Sequence, residues 1–110
     1  MSKVKIEIKL EENNQEKINK NTNGILLNNK LKYTCDNSVD ILDMEELSLR
    51  RKTKEYEIIL DFKNNNIKYK YNSNELILEI KTEKIKKTEQ EILIEYKIEE
   101  TKYKYRIIWR

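Results

Sequence analysis

The sequence contains no histidine and no proline, and only one glycine, one cysteine and one tryptophan. Each absence closes a branch of chemistry. Without histidine there are no Ser-His or Cys-His nucleophile pairs and no imidazole-ligated metal. A single cysteine, Cys35, forms no internal disulfide and no thiolate zinc site. It points to a reducing, cytoplasmic compartment. One glycine, Gly24, is too few for a phosphate-cradling loop. Long apolar runs are missing as well. The longest uncharged stretch, Asn21 to Asn29, is nine residues, against the roughly 20 that span a bilayer. Residues Met1 to Leu10 alternate charged and apolar side chains, so no signal peptide and no membrane association are expected.

What is present is charge in nearly balanced amounts. There are 23 basic and 20 acidic residues in 110, a net charge of +3. The chain fits one domain over residues 1–110. At 39% charged and 37% hydrophobic, composition alone leaves disorder open. Lysine, asparagine and isoleucine are abundant, a pattern we read as AT-rich coding bias, which weakens any argument from lysine count. Residues 1–62 carry 11 basic and 12 acidic side chains, residues 63–110 carry 12 and 8. That asymmetry supports only weak attraction for polyanions.

Periodicity rejects disorder. Val4, Ile6, Ile8 and Leu10 alternate with Lys3, Lys5, Glu7 and Lys9. The same period of two returns in Tyr56–Phe62, Leu76–Ile80, Ile92–Ile98 and Tyr103–Trp109. Alternation of this kind gives strands with one oily and one wet face. Asparagine clusters at Asn28-Asn29, Asn64-Asn65-Asn66 and Asn72-Ser73-Asn74 supply the positive φ that tight hairpins need. Nine or ten strands are predicted, at about 3–11, 15–27, 30–35, 39–42, 46–52, 55–62, 67–71, 75–84, 91–99 and 101–109. A bulge or bend is expected at Gly24. Asp43–Leu47 admits a helical turn capped by Asp43, with Glu46 closing a capping box. Ile85–Tyr96 admits a helix, but the alternation from Ile92 to Ile98 favours a strand. With no long helix to cover the oily faces, the sheet covers itself, as a sandwich or a barrel. Short hairpins favour an all-β, antiparallel up-and-down barrel of about eight to ten strands.

Several residues qualify for a site. All seven tyrosines, Tyr33, Tyr56, Tyr69, Tyr71, Tyr96, Tyr103 and Tyr105, fall on apolar faces. A buried phenol seeks a hydrogen-bond partner, so they are either core tyrosines or, with Trp109, the lining of a pocket for a small amphiphilic ligand. Arg51 shares a face with Leu47 and Leu49. It either lies at the rim or turns inward, where it needs a carboxylate or an anionic ligand. The runs Lys68-Tyr69-Lys70-Tyr71 and Lys102–Arg106 evoke single-strand nucleic-acid binding. Alternation sends tyrosines and lysines to opposite faces, so nucleic acid is disfavoured. Cys35 reads as a packed or spare thiol. Outward Leu93, Ile77, Ile59 and Ile108 interrupt the polar face and suggest a patch for a homodimer or a protein partner.

The charged first strand Val4–Leu10, Leu47-Ser48-Leu49-Arg50-Arg51, Leu78-Glu79-Ile80-Lys81-Thr82 and Ile92-Leu93-Ile94-Glu95-Tyr96 together resemble the YwiB-like family of small uncharacterised bacterial proteins. The resemblance spans most of the chain and implies a calycin-like (lipocalin-like) β-barrel. It carries over Arg51, Thr82 and Tyr96. Asn72-Ser73-Asn74 departs from the Tyr-Gly type of turn common in that family. Calycin barrels often hold small apolar ligands inside. The expectation is therefore a bacterial barrel, not an enzyme and without cofactor or metal, that binds a small amphiphilic ligand or a protein. Its candidate ligand-binding residues are Arg51, Tyr69, Tyr71, Thr82, Tyr96 and Trp109.

Overall fold

Eleven strands follow one another with almost nothing but turns between them. The computed structural model describes residues 2–110. The strands are β1 (Ser2–Glu12), β2 (Gln15–Leu27), β3 (Lys30–Cys35), β4 (Ser38–Asp43), β5 (Ser48–Lys52), β6 (Tyr56–Asp61), β7 (Asn66–Tyr71), β8 (Asn74–Glu79), β9 (Lys81–Lys87), β10 (Glu91–Ile98) and β11 (Thr101–Trp109). They form one antiparallel sheet in the order β8-β7-β6-β5-β4-β3-β2-β1-β11-β10-β9. It curls into a nearly closed up-and-down barrel, and no helix among the described residues is long and apolar enough to cross a membrane.

The turns are made as the asparagines foretell. Asn28-Asn29 takes positive φ at two successive residues, and Asn65 and Asn72 do so singly; Asn13-Asn14, outside the predicted clusters, forms a further such pair. Paired positive φ matches the right-handed twist of the strands it joins. Asp43 caps its turn by accepting the Glu45 and Glu46 N–H groups at 3.0 Å each. That turn runs to Leu47, so β5 begins at Ser48 rather than at 46.

Two expectations are corrected. The only glycine marks no bulge: Gly24 sits in unbroken register, opposite Val4 and Tyr33. The bulge in β2 falls earlier, where Leu10 pairs with Ile18 and Glu11 with Glu16. Glycine is required at 24 by crowding, since a Cβ there would lie 2.4 Å from Ile6 Cδ1 and 2.7 Å from the Lys32 carbonyl oxygen. The second correction concerns the strand read over 75–84. It breaks at Ile80 into β8 and β9, giving eleven strands instead of ten. Ile80 is buried, and its N–H donates to the Asn65 carbonyl at 3.0 Å. Thr82 N–H donates to Asn65 Oδ1, and Thr82 Oγ1 donates to the Phe62 carbonyl at 2.9 Å. The corner is thereby pinned onto the β6–β7 turn. In effect one bent strand closes the barrel, its first half paired to β7 and its second half to β10.

The interior is filled with side chains. Ile6, Ile8, Leu31, Leu42, Leu49, Ile92, Ile94 and Ile107 are almost wholly buried. Each contributes about 1.5–3 kcal/mol of burial. The outer face is less uniform. Leu93 is buried there, flanked on the neighbouring strands by Lys86 and Arg106, so it offers no patch. The outward row Lys3–Ile25–Lys32–Ile41–Arg50–Ile59–Lys68–Ile77 alternates cation and isoleucine across eight strands.

Candidate ligand-binding sites

Hairpin register builds the first site. The β4–β5 ladder sets Asp40 opposite Arg51, and the β3–β4 ladder sets Tyr33 opposite Asp40. All three project inward. Arg51 therefore does not sit idle at the rim. Its Nε donates to Asp40 Oδ1 at 3.1 Å and its Nη2 to Oδ2 at 3.0 Å. Asp40 is fully buried while the Arg51 side chain keeps 26% of its exposure. Ser38 Oγ stands 2.9 Å from both Asp40 Oδ1 and the Cys35 carbonyl. Its single proton serves one acceptor at a time.

Burial opposes the charge on Arg51, but the hydrogen bonds and charge of Asp40 outweigh it and hold the guanidinium firmly ionised. Beside the ion pair, the Tyr33 and Tyr105 hydroxyls share a hydrogen bond of 2.9 Å. Burial raises both phenols, Tyr33 well above its usual value and Tyr105 up to about 12. Burial also raises Tyr96, whose ring packs 5.1 Å from Tyr103 and 5.2 Å from Phe62. The cluster is a hydrogen-bonded polar knot within an oily wall. A cleft of about 250 Å³ opens onto it, lined by Ile18, Lys20, Ser38, Arg51, Thr53 and Tyr56 among others. A Lys20–Asp36 ion pair lies at this cleft. Cys35 lines the cleft too, and burial pushes its thiol upward, opposite to the shift that activates a nucleophile.

The predicted site residues do not gather. Arg51 and Tyr96 both face the interior. Tyr69 stacks on Tyr56 at 5.6 Å, two strands from Arg51, and Tyr71 beside it is exposed. Thr82 serves the corner at Ile80. Trp109 lines a separate cleft with Leu26 and Met44. Asp40, Ser38 and Tyr33 complete the polar knot; of these the sequence offers only Tyr33, as one of seven apolar-face tyrosines and not among the candidate ligand-binding residues. The available signal was parity: Ser38, Asp40 and Leu42 share the inward face of β4.

The second site lies outside the barrel. A cleft of about 750 Å³ crosses the outward face of β1, β2, β3 and β4. Ile25 and Val39 give it apolar side chains, the backbone at Val4 and Gly24 passes between them, and Lys3, Lys5, Lys32 and Arg110 line it with cations. Ile25 and Val39 are 37% and 39% exposed. None of the four cations is ion-paired with a carboxylate among the described residues. Past Lys5 and Asn23 the cleft meets a further hollow of about 410 Å³, which adds Ile108 and Glu7. Glu7 is paired with Lys9. Among the described residues no cluster of three or more Cys, Asp or Glu is placed to hold a metal ion.

No family model matches the chain, and no curated protein matches it. Among solved structures, the crystal structure of the ywiB protein from Bacillus subtilis is similar to it, with a TM-score of 0.47 and 13% sequence identity, over 98% of this chain and 89% of that one.

Proposed function

We propose that the protein is a non-enzymatic β-barrel that binds a small amphiphilic anion, and that it does so in the outward cleft on β1–β4. One observation carries the reading: the exposed side chains of Ile25 and Val39 lie beside four cations that form no ion pair with a carboxylate among the described residues. Clefts of several hundred cubic ångströms that are mostly apolar, with a few placed polar groups, are the usual form of small-molecule sites. An acyl chain suits Ile25 and Val39, and a carboxylate or phosphate head suits the lysines. The inner polar knot is a poorer host, because Asp40 already binds the Nε–Nη2 edge of Arg51 and offsets its charge. The pairing of Arg51 with Asp40, together with the raised Cys35 thiol, favours binding over catalysis.

The test is calorimetric titration with laurate and with its uncharged glycerol ester. Laurate binds and the ester binds less well. A Lys3→Glu, Lys32→Glu variant weakens laurate by about tenfold, two rim charges being worth up to about 1 kcal/mol each. Equal affinity for both probes, or indifference to the charge reversal, overturns the proposal.

A further inference from the structure

The four cations of the outward cleft fall into two kinds. Lys3 and Lys32 stand on either side of Ile25, in register across β1, β2 and β3. Lys5 and Arg110 stand directly opposite each other. Their main chains exchange two hydrogen bonds of 2.9 Å, continuing the ladder in which Ile6 faces Trp109. Partners of this kind have Cα atoms about 5.5 Å apart and side chains on one face. Ile6 and Trp109 are buried inside the barrel, so the adjacent Lys5 and Arg110 turn outward into the cleft. Like charges directly opposite oppose strand pairing. Two other cation pairs meet in this way, and each has acids at hand. Lys9 lies opposite Arg106, and these two are ion-paired with Glu7 and Glu91. Lys97 lies opposite Lys102, which lines a hollow with Glu11, Glu83 and Glu95. The cleft at Lys5 and Arg110 has no carboxylate in its lining, and Glu7 in the adjoining hollow is held by Lys9 at 3.3 Å.

We infer that, given the amphiphile site proposed above, its head group is a phosphate monoester in the dianionic form: Lys5 and Arg110 grip the phosphate oxygens and the alkyl tail lies against Ile25 and Val39. A carboxylate answers one of the two opposed charges. A phosphate monoester carries close to two negative charges at neutral pH and offers three acceptor oxygens. Asn23, across the ladder from Lys5, adds an amide donor in the same row. Charge-assisted hydrogen bonds from lysine and arginine are about twice as strong as neutral ones. The ring of Tyr33 points inward to Tyr105, so the cleft offers no aromatic surface for a nucleotide base to stack on, and an aliphatic tail is the better match.

Calorimetric titration tests it with dodecyl phosphate and its methyl diester, which keeps tail and phosphate but carries a single charge. Both are used below the concentration at which they form micelles. At about pH 8 the monoester binds about tenfold more tightly than the diester. At about pH 5, below the second ionisation of the monoester, the two bind alike. Lys5→Gln and Arg110→Gln, both at exposed positions, each erase the preference. Lys102→Gln, also exposed, removes the same charge outside the cleft and keeps it. A monoester that binds no better than the diester at the higher pH, or a preference that Lys102→Gln also erases, overturns the inference. Inorganic phosphate bound as tightly as dodecyl phosphate overturns it too. If laurate still outbinds its glycerol ester, such results remove the phosphate and leave the amphiphilic anion standing. If no charged probe outbinds that ester, both fall together.

Discussion

At Asp40 and Arg51 two unit charges sit in an oily wall because they satisfy each other through two parallel hydrogen bonds. Such a pair is a poor source of net stability, since desolvation consumes most of the attraction. Breaking it is another matter. Asp40→Ala leaves Arg51 largely buried and unpaired and is expected to cost about 3–5 kcal/mol. Replacing both partners, Asp40→Leu with Arg51→Met, is expected to return most of that loss. Denaturant unfolding of the two variants checks the pair, and a double replacement no better than the single would refute it. Half of this was legible in sequence. Arg51 on a leucine face needs a carboxylate or an anionic ligand only where it turns inward rather than to the rim, and Asp40 lies between Val39 and Ile41, apolar residues that face outward, so local alternation hid its inward turn.

At the scale of the strand and its turn, the chain uses asparagine where others use glycine, and the exceptions are instructive. Glu99 holds φ at 54° in the β10–β11 turn, a left-handed conformation that an unbranched acidic side chain adopts at a cost. Glu99→Gly removes that strain at an exposed position and is expected to stabilise the fold by about 1 kcal/mol. A rise in melting temperature measures it; a fall would show that backbone entropy dominates. Asparagine pairs are why the hairpins could be placed from sequence. The corner at Ile80 could not, because Leu76, Leu78 and Ile80 continue the alternation straight through the bend. Gly24 misled for a related reason: its role is set by Ile6 and Lys32 on neighbouring strands, which sequence distance conceals. The outward cleft was likewise out of reach, since its cations come from β1, β3 and the residue after β11 and meet only through register.

For the whole molecule, buried phenols tie stability to pH. Tyr33, Tyr96 and Tyr105 all have raised pKa values, so the folded protein keeps their protons where the unfolded chain loses them. The stability they contribute is complete below pH 10 and falls as pH rises, for Tyr105 across the interval from 10.0 to about 12. Each tyrosine subtracts about 1.4 kcal/mol per pH unit in its window. Alkaline titration is expected to show tyrosinate absorbance from these three rising together with loss of the β-sheet dichroism. Tyrosinate forming fully before the sheet melts would contradict the buried knot. The topology carries a consequence for synthesis. β1 lies between β2 and β11, and Lys5 and Arg110 exchange backbone hydrogen bonds at 2.9 Å. A ribosome-bound chain therefore holds one side of its first strand unclaimed until the last strand has emerged, and the barrel shuts only after translation has passed Trp109.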